Sequence, residues 1–363
     1  MTENINLFDF AKFLTKENGL FDAIEFDVVK FCSDQYYVWP FPGCETYLDA
    51  CANENCKCAV NLELLDVVHG IRSNSNLDFA QKAISFKLAS AYSKKCKYVP
   101  PYSLAHFMVR AWGRIDAGEE LVGRCGKVIQ SIRENKTIEE SLCLLDGLNI
   151  NRIASWSKVL SISNPKSCFV YDARISMALR LMWSAYINNV QGSVDIDVCN
   201  PFILVNGQKK FLNECLNKLP CRGDAGKDGK KRDKRKLFVD SYIKYCDLIH
   251  FITDKLIARK KFSHLSDYAR EIIVGADIDD SINDLMGVQY AIYCQMVEMA
   301  IFTLIGNDYT KRNGSEYYFV DTAKKHKFED KDLMTPTPGL PGNRYNIKKM
   351  HQLGEIIKHI NVN

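Results

Sequence analysis

The segment from Glu140 to Trp183 constrains the fold more than any other stretch of the chain. It reads in order as a short helix, a tight turn, a second helix, and an extended connection that delivers an aspartate to the head of a third helix. Thr137-Ile138-Glu139-Glu140 is a capping box, in which the threonine hydroxyl accepts from the backbone three residues on and the glutamate reaches back. The helix it opens ends at Asp146-Gly147. The turn is Leu145-Asp146-Gly147-Leu148-Asn149: glycine takes positive φ freely, and asparagine tolerates it well. A helix follows Asn149 and ends near Ser163-Asn164-Pro165. Cys168-Phe169-Val170-Tyr171 favours extended backbone, and Asp172 then stands as an N-cap. Beyond it Ile175, Leu179, Met182 and Tyr186 recur at helical spacing, with Ala178 and Trp183 on the same face.

The rest of the chain also reads as helical. Apolar positions at Phe79, Ala80, Ala83, Ile84, Phe86, Leu88 and Ala91 predict a helix starting near Asn76. Pro100 and Pro101 are expected to stop it, and Ser103 to cap the next helix, over Leu104, Phe107, Met108, Ala111 and Trp112 to Gly113. Further helices are expected over about 119–133, 237–262 and 280–306, with a last amphipathic one over about 346–360 beyond the Pro/Gly segment Thr335 to Gly342. Residues 1–75 form a Cys- and aromatic-rich region (Tyr36-Tyr37-Val38-Trp39-Pro40-Phe41-Pro42-Gly43), read as irregular after about residue 31. The expected organisation is therefore 1–75, a core over 76–190, an insertion with a basic loop over 191–236, and a C-terminal helical lobe over 237–363.

Composition narrows the class. At 363 residues, with 47% apolar and 25% charged side chains, the chain is neither disordered nor collagen-like and has the size for two lobes or one enlarged unit. Its net charge of +4 is too small to mark a polyanion binder, so a nucleic-acid patch must be local. Arg222 to Lys236 is such a place: eight basic and three acidic residues give +5, with no apolar residue larger than Ala225. It is either a phosphate-contacting loop or a solvated insertion. The longest apolar runs fall short of the ~18 residues a membrane span needs, and Met1-Thr2-Glu3-Asn4 does not open a secretory signal. Most of the fourteen cysteines lie singly in apolar stretches, as expected for reduced thiols in the cytoplasm.

Three features carry candidate chemistry. The turn at Gly147 and Asn149 can point backbone NH groups outward beside the positive end of the next helix, a surface that suits phosphate, with Arg152 adding a charge-assisted contact. An ordinary helix C-cap reads the same way. Asp172, held by free NH groups and the helix dipole, is an oriented carboxylate that can stabilise an oxocarbenium-like sugar or orient a water. A plain helix cap also explains it. Cys44, Cys51, Cys56 and Cys58 form a cluster that either holds a zinc ion with four thiolates or is reduced and structural; Cys56-x-Cys58 is an unusual zinc spacing, and no metal or other cofactor is expected. No Walker-type loop and no His-Glu-x-x-His occurs.

Taken together, the turn and the aspartate resemble the helix-hairpin-helix DNA glycosylase superfamily. Leu145-Asp146-Gly147-Leu148-Asn149 occupies the position of the family's Leu-Pro-Gly-Val-Gly hairpin. Val170-Tyr171-Asp172-Ala173-Arg174 occupies that of its Val-Pro-Val-Asp segment, and Asp172 follows Gly147 by 25 residues, close to the family's spacing. Ala154-Ser155-Trp156-Ser157-Lys158-Val159-Leu160, with Asn164-Pro165, looks most like bacterial proteins of the 8-oxoguanine glycosylase fold. The match covers roughly residues 80–190.

The resemblance implies a mainly α, two-lobed fold that binds double-stranded DNA as a monomer. It implies Asp172 as the acid–base residue for hydrolysis of an N-glycosidic bond, and phosphate contacts at Gly147, Asn149, Asn151 and Arg152. Lys230, Lys231 and Arg232 would add backbone contacts. The flipped base would need a pocket, for which Trp112, Trp156, Tyr171 and His106 are candidates, each also readable as core. The chain departs from the family at Asp146 and Asn149. Bifunctional members place a nucleophilic lysine where this chain has Asn151 and Arg152, and Lys158 lies roughly 10 Å further along the helix. A monofunctional enzyme leaving an abasic site is therefore expected. Its base would be damaged, as in base-excision repair, or hypermodified, as in defence against phage DNA. A non-catalytic helix-hairpin-helix DNA-binding protein is the alternative.

Overall fold

The computed structural model describes residues 7–17, 21, 41–52, 61–113, 115, 118–144, 153–172, 201–202, 234–278 and 284–303, and seven residues between 175 and 186. Its described elements are all helical; among the described residues there is no strand. The chain divides into two compact units. One comprises Cys32–Tyr171 and Phe262–Glu298; the other comprises Met1–Phe31, Asp172–Lys261 and Met299–Asn363.

The first unit contains α2 (Cys44–Ala52), α3 (Leu62–Ser73), α4 (Phe79–Tyr92), α5 (Lys94–Lys97) and α6 (Pro101–His106), with α1 (Leu7–Thr15) belonging to the other. α6 runs on into a π-turn, Phe107–Trp112. α7 (Glu119–Arg133), α8 (Ile138–Cys143), α9 (Ile153–Ser163) and α11 (Ser266–Gly275) complete it, together with most of α12 (Leu285–Thr303). α4 is its centre. Asp78 and Gln81 form a reciprocal capping box at its start. From Ala80 to Ser90 all but Lys82 are buried, so no polar face remains; such a helix lies inside a core rather than on it. α7 approaches α6 closely because Gly126 has no side chain: a Cβ there would stand 3.2 Å from Tyr102 Cα. Phe41, Phe86, Phe107 and Trp112 pack as tilted and edge-on rings, Phe86 and Phe107 at 4.8 Å between centroids.

The other unit contains α1, α10 (Lys234–Ala258) and the helical residues after Asp172. Phe8 meets Phe251 edge-on at 5.7 Å, and Arg259 donates to the Thr15 carbonyl at the end of α1. A cation there complements the helix dipole. Phe10 lies 4.9 Å from Trp183 and 5.3 Å from Tyr186, centroid to centroid, so the apolar stripe that follows Asp172 is used in packing.

Several sequence expectations need correction. The described part of the region between residues 31 and 75 is largely helical: α2 and α3 lie in it. Asn61 caps α3 by accepting from Leu64 N at 2.8 Å, and Leu64, Val67, Val68 and Ile71 supply its buried stripe. α4 ends at Tyr92, well before the prolines, because Ser93 caps α5. Pro101 starts α6 rather than stopping a helix, since proline lacks only an NH that is unpaired in a first turn anyway. Ser103 therefore lies inside α6 and does not cap it. Lys234-Arg235-Lys236 belong to α10, because Lys and Arg are good helix formers and extend it backwards. α10 stops at Ala258, and α11 occupies a stretch of the expected C-terminal helical lobe for which no separate helix was named. The rest of the basic run and the expected helix over 346–360 lie outside the described residues.

Leu285–Phe302 of α12 is long and apolar enough to cross a membrane, although the apolar runs read from sequence were judged too short. It is 67% buried within the protein, and within the first unit its Gln295 and Glu298 are hydrogen-bonded.

Candidate functional site

The connection into Asp172 is held by hydrogen bonds at several points. Asn164 ends α9, and its carbonyl accepts from Ser167 N at 3.1 Å and Cys168 N at 2.8 Å, turning the chain over Pro165. Gln295 Nε2 donates to the Pro165 carbonyl at 2.8 Å. Cys168, Phe169 and Tyr171 are buried. Val170 N donates to Glu298 Oε1 at 2.5 Å, and Tyr171 N donates to Ser157 Oγ at 3.0 Å. An extended segment without a strand partner thus finds side-chain acceptors for its backbone NH groups.

Asp172 follows as a true N-cap. Its Oδ1 accepts from Ile175 N at 3.0 Å, and its carbonyl accepts from Ser176 N at 3.0 Å. The residue is half-buried. One carboxylate oxygen is thus tied to the first turn, where the dipole of the helix favours an anion.

The four residues proposed as base-pocket walls are all internal. His106 and Tyr171 have no exposed surface, Trp156 is 3% exposed and Trp112 is 7% exposed. Trp112 packs on Phe41 and Phe86. Lys158 does not extend outward from α9; its Nζ donates to the Ala154 carbonyl one turn back, at 2.8 Å. The proposed phosphate contacts at Gly147, Asn149, Asn151 and Arg152, and those at Lys230, Lys231 and Arg232, lie outside the described residues.

A second polar cluster lies in the first unit, and of its members the sequence singled out His106 and Cys51, for different reasons. Cys51 Sγ stands 3.8 Å from His106 Nδ1, and Arg110 Nη1 stands 3.4 Å from His106 Nε2. Arg110 also pairs with Glu119, which in turn accepts from the Tyr102 hydroxyl. Burial pushes the Cys51 thiol up, and burial pushes the His106 imidazole down against the pull of Glu119. Both shifts favour the neutral forms, the opposite of the thiolate–imidazolium pair that nucleophilic cysteines need. Of the four-cysteine cluster, Cys44 donates to the Leu65 carbonyl, and Cys56 and Cys58 lie outside the described residues. Among the described residues no group of three or more ligating side chains is placed to hold a metal.

The spacing from α4 to α12 carried no sign in the sequence of what lies between them. Lys87 and Glu298, 2% and 4% exposed, form a buried ion pair at 2.5 Å. Comparison of the chain with family models, with curated proteins and with solved structures finds no match in any of the three.

Proposed function

We propose that the chain is a monofunctional DNA glycosylase of the helix-hairpin-helix kind, with Asp172 as its essential carboxylate. The observation that carries this reading is the N-capping carboxylate of Asp172 at the end of a largely buried connection from α9 whose Val170 and Tyr171 NH groups are held by side chains. A plain helix cap needs no such connection; a residue that must meet one atom of a substrate does. The order of helix, extended connection, aspartate and helix is also that of the resemblance drawn from the sequence.

In the reaction the C1′–N bond of the target nucleotide breaks, and its electron pair leaves with the base. The sugar gains oxocarbenium character, which a carboxylate stabilises electrostatically. A water adds to C1′, and its proton is taken up by Asp172 and passed to solvent or base. No amine takes part, because Lys158 is folded onto its own helix and the hairpin position is Asn151. The product is an abasic site in an intact strand. Gly147, Asn149, Asn151 and Arg152 would grip phosphates, and Lys230, Lys231 and Arg232 would add salt-dependent affinity.

A second reading, a non-catalytic DNA-binding protein, is favoured by one observation: all four aromatic candidates for the base pocket are buried. The deciding experiment incubates the protein with unmodified, oxidised, deaminated, alkylated and hypermodified phage DNA, with and without later alkali, beside Asp172→Asn. Alkali-dependent breaks on one substrate, absent with the variant, are expected. Breaks without alkali would mean that a lyase nucleophile exists. DNA binding without breaks on any substrate would leave the binding-protein reading.

A further inference from the structure

Glu298 uses both carboxylate oxygens inside the protein. Oε2 faces Lys87 Nζ at 2.5 Å, and Oε1 accepts from Val170 N at 2.5 Å. Gln295, one turn earlier on α12, accepts from the same Lys87 Nζ at 2.6 Å and donates to the Pro165 carbonyl at 2.8 Å. Three side chains from α4 and α12 therefore hold the connection at two points, five residues apart, and the second is two residues before Asp172. Lys87, Pro165, Val170, Gln295 and Glu298 belong to one unit, and the chain passes into the other at Asp172. The pair is a poor choice for stability alone, since burying two charges costs much of what their attraction returns, and apolar residues of like volume often serve as well. What apolar residues cannot do is accept the NH of Val170.

We propose that Glu298 is a positioning residue for Asp172. It acts through the backbone of Val170, with Lys87 holding its carboxylate and Gln295 anchoring the start of the same segment. This rests on the reading of Asp172 as the reacting carboxylate. Glu298 touches no substrate. Its effect is to restrict where the peptide after Val170 can point, and so to restrict the cap and carboxylate that follow. Small displacements of a reacting group are expensive in rate, so a loosened connection lowers turnover while leaving DNA affinity unchanged.

The test compares two double variants of the full chain. Lys87→Met with Glu298→Leu removes both charges and the acceptor. Lys87→Met with Glu298→Gln removes both charges and keeps a carbonyl oxygen for Val170 N. Amide hydrogen exchange is read at Val170 and Ile175, and base release is measured in single turnover together with DNA affinity. In the wild-type protein the Val170 amide is expected to be strongly protected. In the leucine variant, exchange at Val170 and Ile175 should quicken by about tenfold or more, and base release should slow about 10- to 100-fold at unchanged affinity. The glutamine variant should restore both to within about threefold. Equal losses in the two variants would reduce the cluster to plain stability and overturn the proposal, as would an unprotected Val170 amide in the wild type or an unaltered leucine variant. If the wild-type protein releases no base, the glycosylase reading fails by itself. The exchange rates then still decide whether Glu298 fixes the segment that carries Asp172.

Discussion

The Ser157 hydroxyl accepts the backbone NH of Tyr171 at 3.0 Å, fourteen residues further along, and both residues are fully buried. α9 thereby holds the connection that leaves it. Ser157→Ala is expected to leave that NH buried without an acceptor, at a cost of about 1–3 kcal/mol. Denaturant unfolding of the two proteins measures it. A loss below about 0.5 kcal/mol, the range of an ordinary surface substitution, would mean that water replaces the hydroxyl.

Asp172 separates its structural and chemical roles by choice of substitution. Asparagine caps helices as well as aspartate does, so Asp172→Asn is expected to keep stability within about 0.5 kcal/mol, whereas Asp172→Ala loses about 1 kcal/mol. Base release should fall about 100-fold or more in both, because neither carries a carboxylate. Thermal unfolding combined with the abasic-site assay reads both roles. An asparagine variant that still releases base at the wild-type rate would remove Asp172 from the chemistry.

The buried pair predicts an asymmetry between single and double substitution. Lys87→Met leaves the Glu298 carboxylate inside the protein without its cation, at an expected cost of about 3–5 kcal/mol. Adding Glu298→Leu removes the stranded charge and should recover more than half of that loss. Chemical denaturation of the single and double variants supplies the comparison. Additive losses would show that the charges are not coupled.

His106 makes stability depend on pH. Burial holds its imidazole below the ordinary value of 6.5, with Arg110 on one ring nitrogen, Cys51 on the other, and Glu119, Tyr47 and Tyr102 nearby. The unfolded chain, where the ring titrates normally, binds more protons in the window below that value. Stability from this residue is thus complete above pH 6.5 and is lost as pH falls through the lowered value in the fold. Unfolding midpoints measured between about pH 7.5 and about pH 5.5, roughly one unit either side of an ordinary imidazole, should fall less steeply for His106→Gln. A parallel decline in both proteins would assign the effect to other groups.

Thiol reactivity should follow burial. Cys125 is pushed up to about 12 by burial alone and Cys96 to about 11 by burial first, while Cys143 is exposed. Iodoacetamide at mildly alkaline pH is expected to label Cys143 first among the described cysteines, and Cys125 and Cys96 only on unfolding. Mass spectrometry of timed digests reads the order. Early labelling of Cys125 would mean that α7 opens locally.

The sequence was most informative where local signals agree. α7 begins and ends where its periodicity places it, and the Thr137–Glu140 capping box forms as read, with Thr137 N donating to Glu140 Oε2 at 2.8 Å. Asn135, at φ 62°, ends the turn after α7 in the left-handed region that asparagine tolerates. Asp172 is the cap its position suggests. α2 escaped notice because only Tyr47 and Cys51 of its nine residues are buried, too short a stripe to stand out beside a cysteine cluster. α3 was hidden because much of its inward face is Val67, Val68 and Ile71, whose branched side chains are weak helix formers. The acceptors for the connection were not legible at all: Lys87 and Glu298 lie 211 positions apart, and no local pattern joins them.

The distance between those partners has a bearing on how the protein is made. The acceptor for Val170 lies 128 residues later in the chain, and the carboxylate facing Lys87 lies later still relative to that lysine. A ribosome adding about 5–20 residues per second needs several seconds to cover such a gap. Through that interval Val170 N and the Lys87 ammonium lack their Glu298 acceptor. Asp172 thus rides on an unmoored leash until residue 298 has been translated, and a prematurely released product never acquires the restraint. The Val170 and Lys87 contacts of Glu298 can therefore form only after residue 298 has been added.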